Sequence, residues 1–300
     1  MKKKKLLLFI PIGVLLVLIA AFFIYIGIYY HSTPEAKAYL NSNEKVVVKE
    51  ESYGYFFDGP SDAEALIFYP GAKVESSAYA PMLNKLASEG VDVFLVNMPF
   101  NLAIFGKNKA NGIIQKYTYT NWYMGGHSLG GVMASAYAAA HEDIKGVILF
   151  ASYPNSKLRD NQFAIMVYGS NDNVLKKNKM ESSKSYITGP LYDLEIAGGN
   201  HAQFGNYGNQ KHDGTPTITW QEQQKQTVDF IIKNKKIKAH RWNDMPYFYI
   251  KTGTGLSGEK VLLVFIFISK LFSLNSTVLL SPNTASITLL APFNALFINR

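Results

Sequence analysis

Asn121-Trp122-Tyr123-Met124-Gly125-Gly126-His127-Ser128-Leu129-Gly130-Gly131-Val132 is the stretch that decides the fold, and Met133 to Ala140 extend it. Asn121 to Met124 is short, apolar and aromatic, as a buried strand is. Val132 to Ala140 is rich in alanine, as a helix is. Between them, small residues surround one serine. A strand, a Gly-x-Ser-x-Gly turn and a helix form the setting in which a serine hydroxyl is presented as a nucleophile. The turn forces the serine backbone into a cramped conformation, so Gly126 and Gly130 remove side chains that would collide there. A glycine-rich phosphate loop is the bland alternative. It fits less well, because such loops follow other spacings and no Gly-Lys-Ser/Thr is present.

On either side of this stretch the chain alternates strand and helix. Lys45 to Phe57 alternates as one or two antiparallel strands. Ala65 to Tyr69, Val91 to Val96, Gly146 to Ala151, Phe163 to Gly169 and Tyr192 to Ile196 read as further strands, most of them continuous apolar runs. Helices are expected at Ser76–Glu89, Asn108–Lys116, Val174–Tyr186 and Gln221–Lys233. This order implies an α/β fold with a doubly wound, mostly parallel sheet. The strand ending at Tyr69 runs into Pro70-Gly71-Ala72-Lys73. A tetrahedral intermediate at Ser128 needs two backbone N–H donors for its oxyanion. One is expected from Leu129, the residue after the serine, and the other from this loop. Ala72 is the first choice there and Lys73 the second; an ordinary strand-end turn is the alternative.

A serine nucleophile needs a base and an acid at the carboxyl edge of the same sheet. Of the six histidines, only His201 follows the last strand, in Gly198-Gly199-Asn200-His201-Ala202. His127 adjoins Ser128 and points away from its hydroxyl, His141 ends the elbow helix at the far edge, and His212 lies in a polar loop. His31 and His240 fall outside the folded unit. Asp172, in Gly169-Ser170-Asn171-Asp172-Asn173-Val174, follows the preceding strand; Asp143 and Asp160 precede strands and so sit at the wrong edge. Asp193 and Glu195 alternate along the last strand and face outward. An Asp in such a turn can also cap the next helix, and a histidine in such a loop can be a surface residue. The expected site is Ser128, Asp172 and His201. His201 would take the serine proton and Asp172 would fix its tautomer. The expected substrate is a small acyl molecule, with no metal and no cofactor.

Composition removes several classes. The 300 residues contain no cysteine, which excludes disulfides, thiolate metal sites and a cysteine nucleophile. The formal charge is +8, but Lys2 to Lys5 supply half of it. Lys233, Lys235, Lys236, Lys238 and Arg241 form a second cluster. No basic groove with interleaved aromatics is visible, so nucleic acid is not an expected partner. Leu6 to Tyr30 is apolar apart from Pro11 and two glycines, long enough to cross a bilayer as a helix. The lysines before it would keep the amino terminus in the cytoplasm. The expectation is a single-pass signal-anchor over residues 1–31 in the cell membrane, with the catalytic domain outside the cytoplasm. A cleaved signal peptide is the rival, although the only small pair, Ala20-Ala21, lies inside the apolar run. A polar linker is expected at 32–44, with a short helix around Ala36 to Leu40, then the catalytic domain at 45–238 and a tail at 239–300.

These pieces together resemble the α/β-hydrolase fold family. The resemblance rests on Tyr69-Pro70-Gly71-Ala72, Gly126-His127-Ser128-Leu129-Gly130, Gly169-Ser170-Asn171-Asp172 and Gly199-Asn200-His201, and it covers about Lys45 to Lys233. More narrowly, the chain is similar to small bacterial hydrolases related to dienelactone hydrolases and carboxylesterases, several of them membrane-anchored. The nucleophile departs from dienelactone hydrolases, which use cysteine, and Tyr69-Pro70-Gly71 stands where many relatives have His-Gly. The link from Ala151 to Gln162 leaves no room for a lid or cap domain. The resemblance implies a carboxylesterase-like serine hydrolase with an open site. Acyl transfer on the same fold, or a catalytically silent tethered binding domain, are the alternatives. From Ala239 onward the composition changes abruptly, and Val261 to Phe272 is apolar but interrupted by Lys270.

Overall fold

In the computed structural model the backbone is described for residues 2–243, 277–280, 287–291 and 294–298, and side chains for 11–235. The apolar segment 261–272 lies outside the described residues, and so do the side chains of His240 and most of the second basic cluster. The chain divides into two compact units, Met1–Asn234 and Lys235–Arg300.

The first unit is built on eight strands: β1 (Val47–Glu51), β2 (Gly54–Asp58), β3 (Glu64–Tyr69), β4 (Asp92–Val96), β5 (Asn121–His127), β6 (Ile144–Phe150), β7 (Phe163–Gly169) and β8 (Leu191–Ile196). Their spatial order is β1-β2-β4-β3-β5-β6-β7-β8. From β4 onward every neighbouring pair is parallel, whereas β1 and β2 form an antiparallel hairpin on β4. The apolar runs are continuous because both faces of these strands are covered. One face buries Leu66, Phe68, Val93, Ile148, Phe150 and Ile165 with Leu83, Leu86, Val228 and Ile231. The other buries Ala65, Ile67, Phe94, Met124, Val147 and Leu149 with Ile113, Ala134, Tyr137 and Ala138. Each large aliphatic side chain buried this way contributes about 1.5–3 kcal/mol, and polar residues of the central strands, among them Asp92, Asn121, Lys145 and His127, sit at or next to strand ends.

The helices of this unit are α1 (Lys2–Gly27), α2 (Pro34–Ala38), α3 (Ala80–Ser88), α4 (Ala110–Lys116), α5 (Leu129–Ala140), α6 (Lys177–Ser183) and α7 (Trp220–Asn243), the last running across the unit boundary. Several are shorter than the apolar spacing predicts. Ser76–Tyr79 winds as a 3-10 turn before Pro81 lets α3 begin. Residues 174–176 are drawn out of α6, where Asp172 takes two backbone N–H groups. Between β6 and β7 the described backbone holds neither helix nor strand. Gln162 closes that link: its buried amide donates to the carbonyls of Ala138, His141 and Ile144.

The amino-terminal expectations are met only in part. A helix stands where the apolar run predicts one. Among the described residues, no helix is long and apolar enough to cross a membrane. After α1 the polar connector carries a short helix, α2, a little earlier than expected, and it is packed on the domain. Tyr30 pairs with Val74 beside the loop that follows β3, its N–H donating to the Lys73 carbonyl at 2.7 Å. Ser32 and Ala36 are buried, Thr33 caps α2 ahead of Pro34, and the Thr33 N–H donates to Asn206 O. His31, expected outside the folded unit, lies 3.6 Å from Glu75. Small residues and a capping pair make this segment a packed strap, and hydrophobic periodicity does not register such a strap.

Among the described residues, the second unit contains three antiparallel strands, β9 (Thr277–Leu280), β10 (Ile287–Ala291) and β11 (Asn294–Ile298), with β10 in the middle.

Candidate active site

Ser128 occupies the single residue between β5 and α5, with φ 51° and ψ −125°. That left-handed backbone is costly for a residue with a Cβ and persists only where the surroundings enforce it. Here they do. The Ser128 N–H donates to Phe150 O at 2.9 Å, and its carbonyl accepts from the Ser152 hydroxyl at 2.7 Å. The two glycines are required by space. A Cβ on Gly126 would meet Gly130 and the Tyr69 carbonyl at 2.6 Å, and one on Gly130 would overlap the carbonyls of Tyr69 and Pro70. The elbow is therefore wedged against the loop that follows β3.

That loop presents three N–H groups, and two are already engaged. Gly71 N–H donates to the Tyr79 hydroxyl at 3.0 Å. Lys73 N–H donates to Asn101 O at 2.7 Å, which removes the second-choice oxyanion donor. Ala72 is left: no partner for its N–H is found among the described residues. At the elbow, Leu129 opens α5, so its N–H is one of those that a helix start leaves unpaired.

Strands β5, β7 and β8 are parallel, so Ser128, Asp172 and His201 all follow the same edge of the sheet. Asp172 and His201 meet there. His201 Nδ1 lies 2.8 Å from Asp172 Oδ2, and both side chains are almost wholly buried. The other carboxylate oxygen accepts N–H groups of Val174 and Leu175, each at 2.8 Å. Three hydrogen bonds thus compensate a buried carboxylate that would otherwise be expensive to desolvate. Capping and histidine binding, set against each other as alternatives for Asp172, coexist on its two oxygens. His201 is held from below as well: Asp213 accepts the N–H groups of His201 and Ala202. Asn200 exchanges two hydrogen bonds with the buried Gln223 of α7.

His127 is buried, with its ring 4.5 Å from that of His201. Burial and the neighbouring His201 push its pKa well below the usual histidine value, and they prevail over a hydrogen bond to the His201 backbone that acts in the other direction. Its Nδ1 is 2.8 Å from the Tyr79 hydroxyl. Asp193 and Glu195 face outward as expected, paired with Lys184 and Lys177. Ser152, Asp213, Gln223 and Tyr79 support the site without any motif marking them. Among the described residues no cluster of three or more His, Asp or Glu is placed to hold a metal ion.

A mostly parallel sheet with a serine on a strand–helix elbow and an Asp–His pair at the same edge defines an α/β hydrolase. The sequence matches the model of the alpha/beta hydrolase family over residues 65–225, more than half of the chain, and the protein belongs to that family. Membership supports a hydrolase. No curated protein matches the sequence. Among solved structures the chain is similar to Est1E from Butyrivibrio proteoclasticus, at 13% identity and a TM-score of 0.46, covering 64% of this chain and 100% of that one. It is also similar to a predicted CIB-like hydrolase from Thermoplasma acidophilum, at 20% identity and a TM-score of 0.46, covering 63% and 99%. A third is esterase 2 of Thermogutta terrifontis, phosphoramylated by tabun, at 11% identity and a TM-score of 0.46, covering 64% and 96%.

Proposed function

We propose that the protein is a serine hydrolase that cleaves an ester or related acyl bond of a small molecule. The observation that carries this reading is the buried 2.8 Å contact between His201 and Asp172 at the sheet edge where Ser128 stands on its strained turn. In the proposed reaction Ser128 Oγ attacks the acyl carbon while His201 Nε2 takes its proton. Asp172 accepts from Nδ1 and keeps Nε2 free to act as the base. The N–H groups of Ala72 and Leu129 would receive the oxyanion, an interaction commonly worth about 3–4 kcal/mol per donor in the transition state. His201 returns the proton to the leaving alcohol. Water, deprotonated by the same imidazole, then releases the acid from the acyl-enzyme. The absence of helix or strand between β6 and β7 supports an open site suited to soluble esters.

The same proposal places the enzyme at a membrane. The reading rests on composition: α1, Lys2–Gly27, carries most of the apolar run that starts at Leu6. Leu15, Leu16, Val17, Leu18, Phe23 and Ile24 are exposed along it. A helix apolar on every side favours lipid surroundings, with Lys2 to Lys5 on the cytoplasmic side.

The test is labelling of the full-length protein by a fluorophosphonate probe together with turnover of short-chain esters. Both are expected in the native protein and both are expected to vanish in Ser128→Ala. Labelling that survives the substitution, or a folded native protein with neither labelling nor turnover, would sink the reading.

A further inference from the structure

The hydroxyl of Tyr79 is fully buried and lies between two parts of the site that are far apart in sequence. It accepts the Gly71 N–H at 3.0 Å. It also lies 2.8 Å from His127 Nδ1. The geometry is tight, since a Cβ on Gly71 would meet His127 Nδ1 at 2.7 Å and the Tyr79 hydroxyl at 2.9 Å. The Tyr79 ring is fixed on its other side by Phe68, centroid to centroid 5.1 Å.

Proton counting decides the tautomer. Gly71 can only donate, so it uses a lone pair of the phenol oxygen. The phenol proton then needs an acceptor, and His127 Nδ1 is the one within reach. If Nδ1 instead carried hydrogen, the phenol proton would be stranded and Nε2 would be a bare acceptor with no partner. With the proton on Nε2, only that N–H is left over. The second arrangement leaves fewer buried groups unsatisfied.

We propose that Tyr79 is a positioning residue that braces the loop of Gly71 and Ala72 against the residue preceding Ser128, holding His127 as the neutral Nε2–H tautomer. This rests on the serine hydrolase reading for its catalytic consequence, but the brace itself is a structural statement. Its consequence is twofold. With Gly71 N–H held on Tyr79 and Lys73 N–H on Asn101, the Ala72 N–H between them is the loop donor without a partner among the described residues. A neutral His127 beside His201 also spares the imidazolium, which forms during proton transfer, from a like charge at a ring separation of 4.5 Å. The titratable groups around His127 are Tyr79, His201 with Asp172 behind it, and Tyr207, which interacts with Tyr79.

The experiment is nitrogen-15 NMR of the histidine rings in the full-length protein, joined to kinetics of Tyr79→Phe, His127→Gln and His127→Leu. The native His127 is expected to show a protonated Nε2 and an accepting Nδ1, and to stay neutral through the pH range in which an ordinary histidine takes up a proton. In Tyr79→Phe the Nδ1 signal should move to its unbonded position and the Gly71 amide should lose protection from exchange. Because preorganised oxyanion donors act on the transition state, kcat should fall about 10-fold or more with KM changed less than about twofold. His127→Gln keeps an acceptor for the phenol and should retain most of kcat, whereas His127→Leu should match Tyr79→Phe. A native Nδ1–H tautomer at His127 would overturn the proposal. So would an unaltered Gly71 amide in Tyr79→Phe, or equal kcat in the Gln and Leu variants. If Tyr79→Phe fails to fold, the native tautomer and the Gln–Leu comparison decide alone. Absence of any Ser128-dependent turnover would strike the hydrolase reading but leave the ring and amide signals as the test of the brace.

Discussion

Asp172 shows how one side chain can satisfy two readings at once. One oxygen caps the turn before α6 and the other binds His201 Nδ1. An amide has only one oxygen, so Asp172→Asn must abandon one partner. With the oxygen kept on Val174 and Leu175, the amide N–H₂ faces Nδ1 and forces the ring proton onto Nε2. That tautomer cannot accept from Ser128. Under the proposed mechanism, kcat for a soluble ester should therefore drop about 10³–10⁴-fold, while far-UV circular dichroism stays native. A drop of less than tenfold would remove Asp172 from the mechanism. Position after a strand was enough to select Asp172 over Asp143 and Asp160. It could not show that both oxygens are used, because that depends on where β8 delivers His201.

Among the elements, the strap between α1 and β1 carries a pH-sensitive contact. Glu75 accepts the Ser32 N–H and the Ser77 hydroxyl, each at 2.9 Å, and pairs with Lys37 at 3.1 Å. Partial burial alone would raise its pKa. The hydrogen bonds from Ser32 and Ser77 and the Lys37 charge prevail and lower it from 4.5 to about 2. A carboxylate held below its unfolded value stabilises the fold above that value and loses the contribution as pH falls toward the folded one. The midpoint of thermal unfolding should thus decline between pH 4.5 and 2, and Glu75→Gln should flatten part of that decline while lowering stability near neutrality. Identical pH profiles in the two proteins would refute the assignment. Nothing in the local pattern of residues 32–44 announces this contact, since its partners come from a turn more than 30 residues later. The elbow is the opposite case: the residues that make it tight, Gly126 and Gly130, lie within it and are plain in the sequence.

For the whole molecule, the proposed anchor predicts how the protein behaves in cells. The full-length chain should sediment with membranes, resist high salt and alkaline carbonate, and be released by detergent. Its measured mass should match the uncleaved chain, since an internal Ala20-Ala21 is a poor processing site. Release by salt alone, or a mass lacking the first 20 or so residues, would refute a retained signal-anchor. The alternating apolar runs were sufficient to indicate a parallel sheet, because strands covered on both faces leave that trace wherever they occur in the chain. Element ends were legible only roughly. Pro81 and Asp172 shorten helices through contacts that periodicity does not weigh.

Ser128 on its turn, the strand–helix alternation and the order serine, aspartate, histidine follow from the amino-acid sequence alone, because each depends on neighbouring residues or on which edge of a strand a loop leaves. The meeting of Asp172 with His201, the Tyr79 link from Gly71 to His127, and the engagement of Lys73 N–H that leaves Ala72 unpaired were decided by the tertiary structure. A hydrogen bond needs two atoms within about 3 Å, and chain order does not encode that distance between residues brought together only when the sheet assembles.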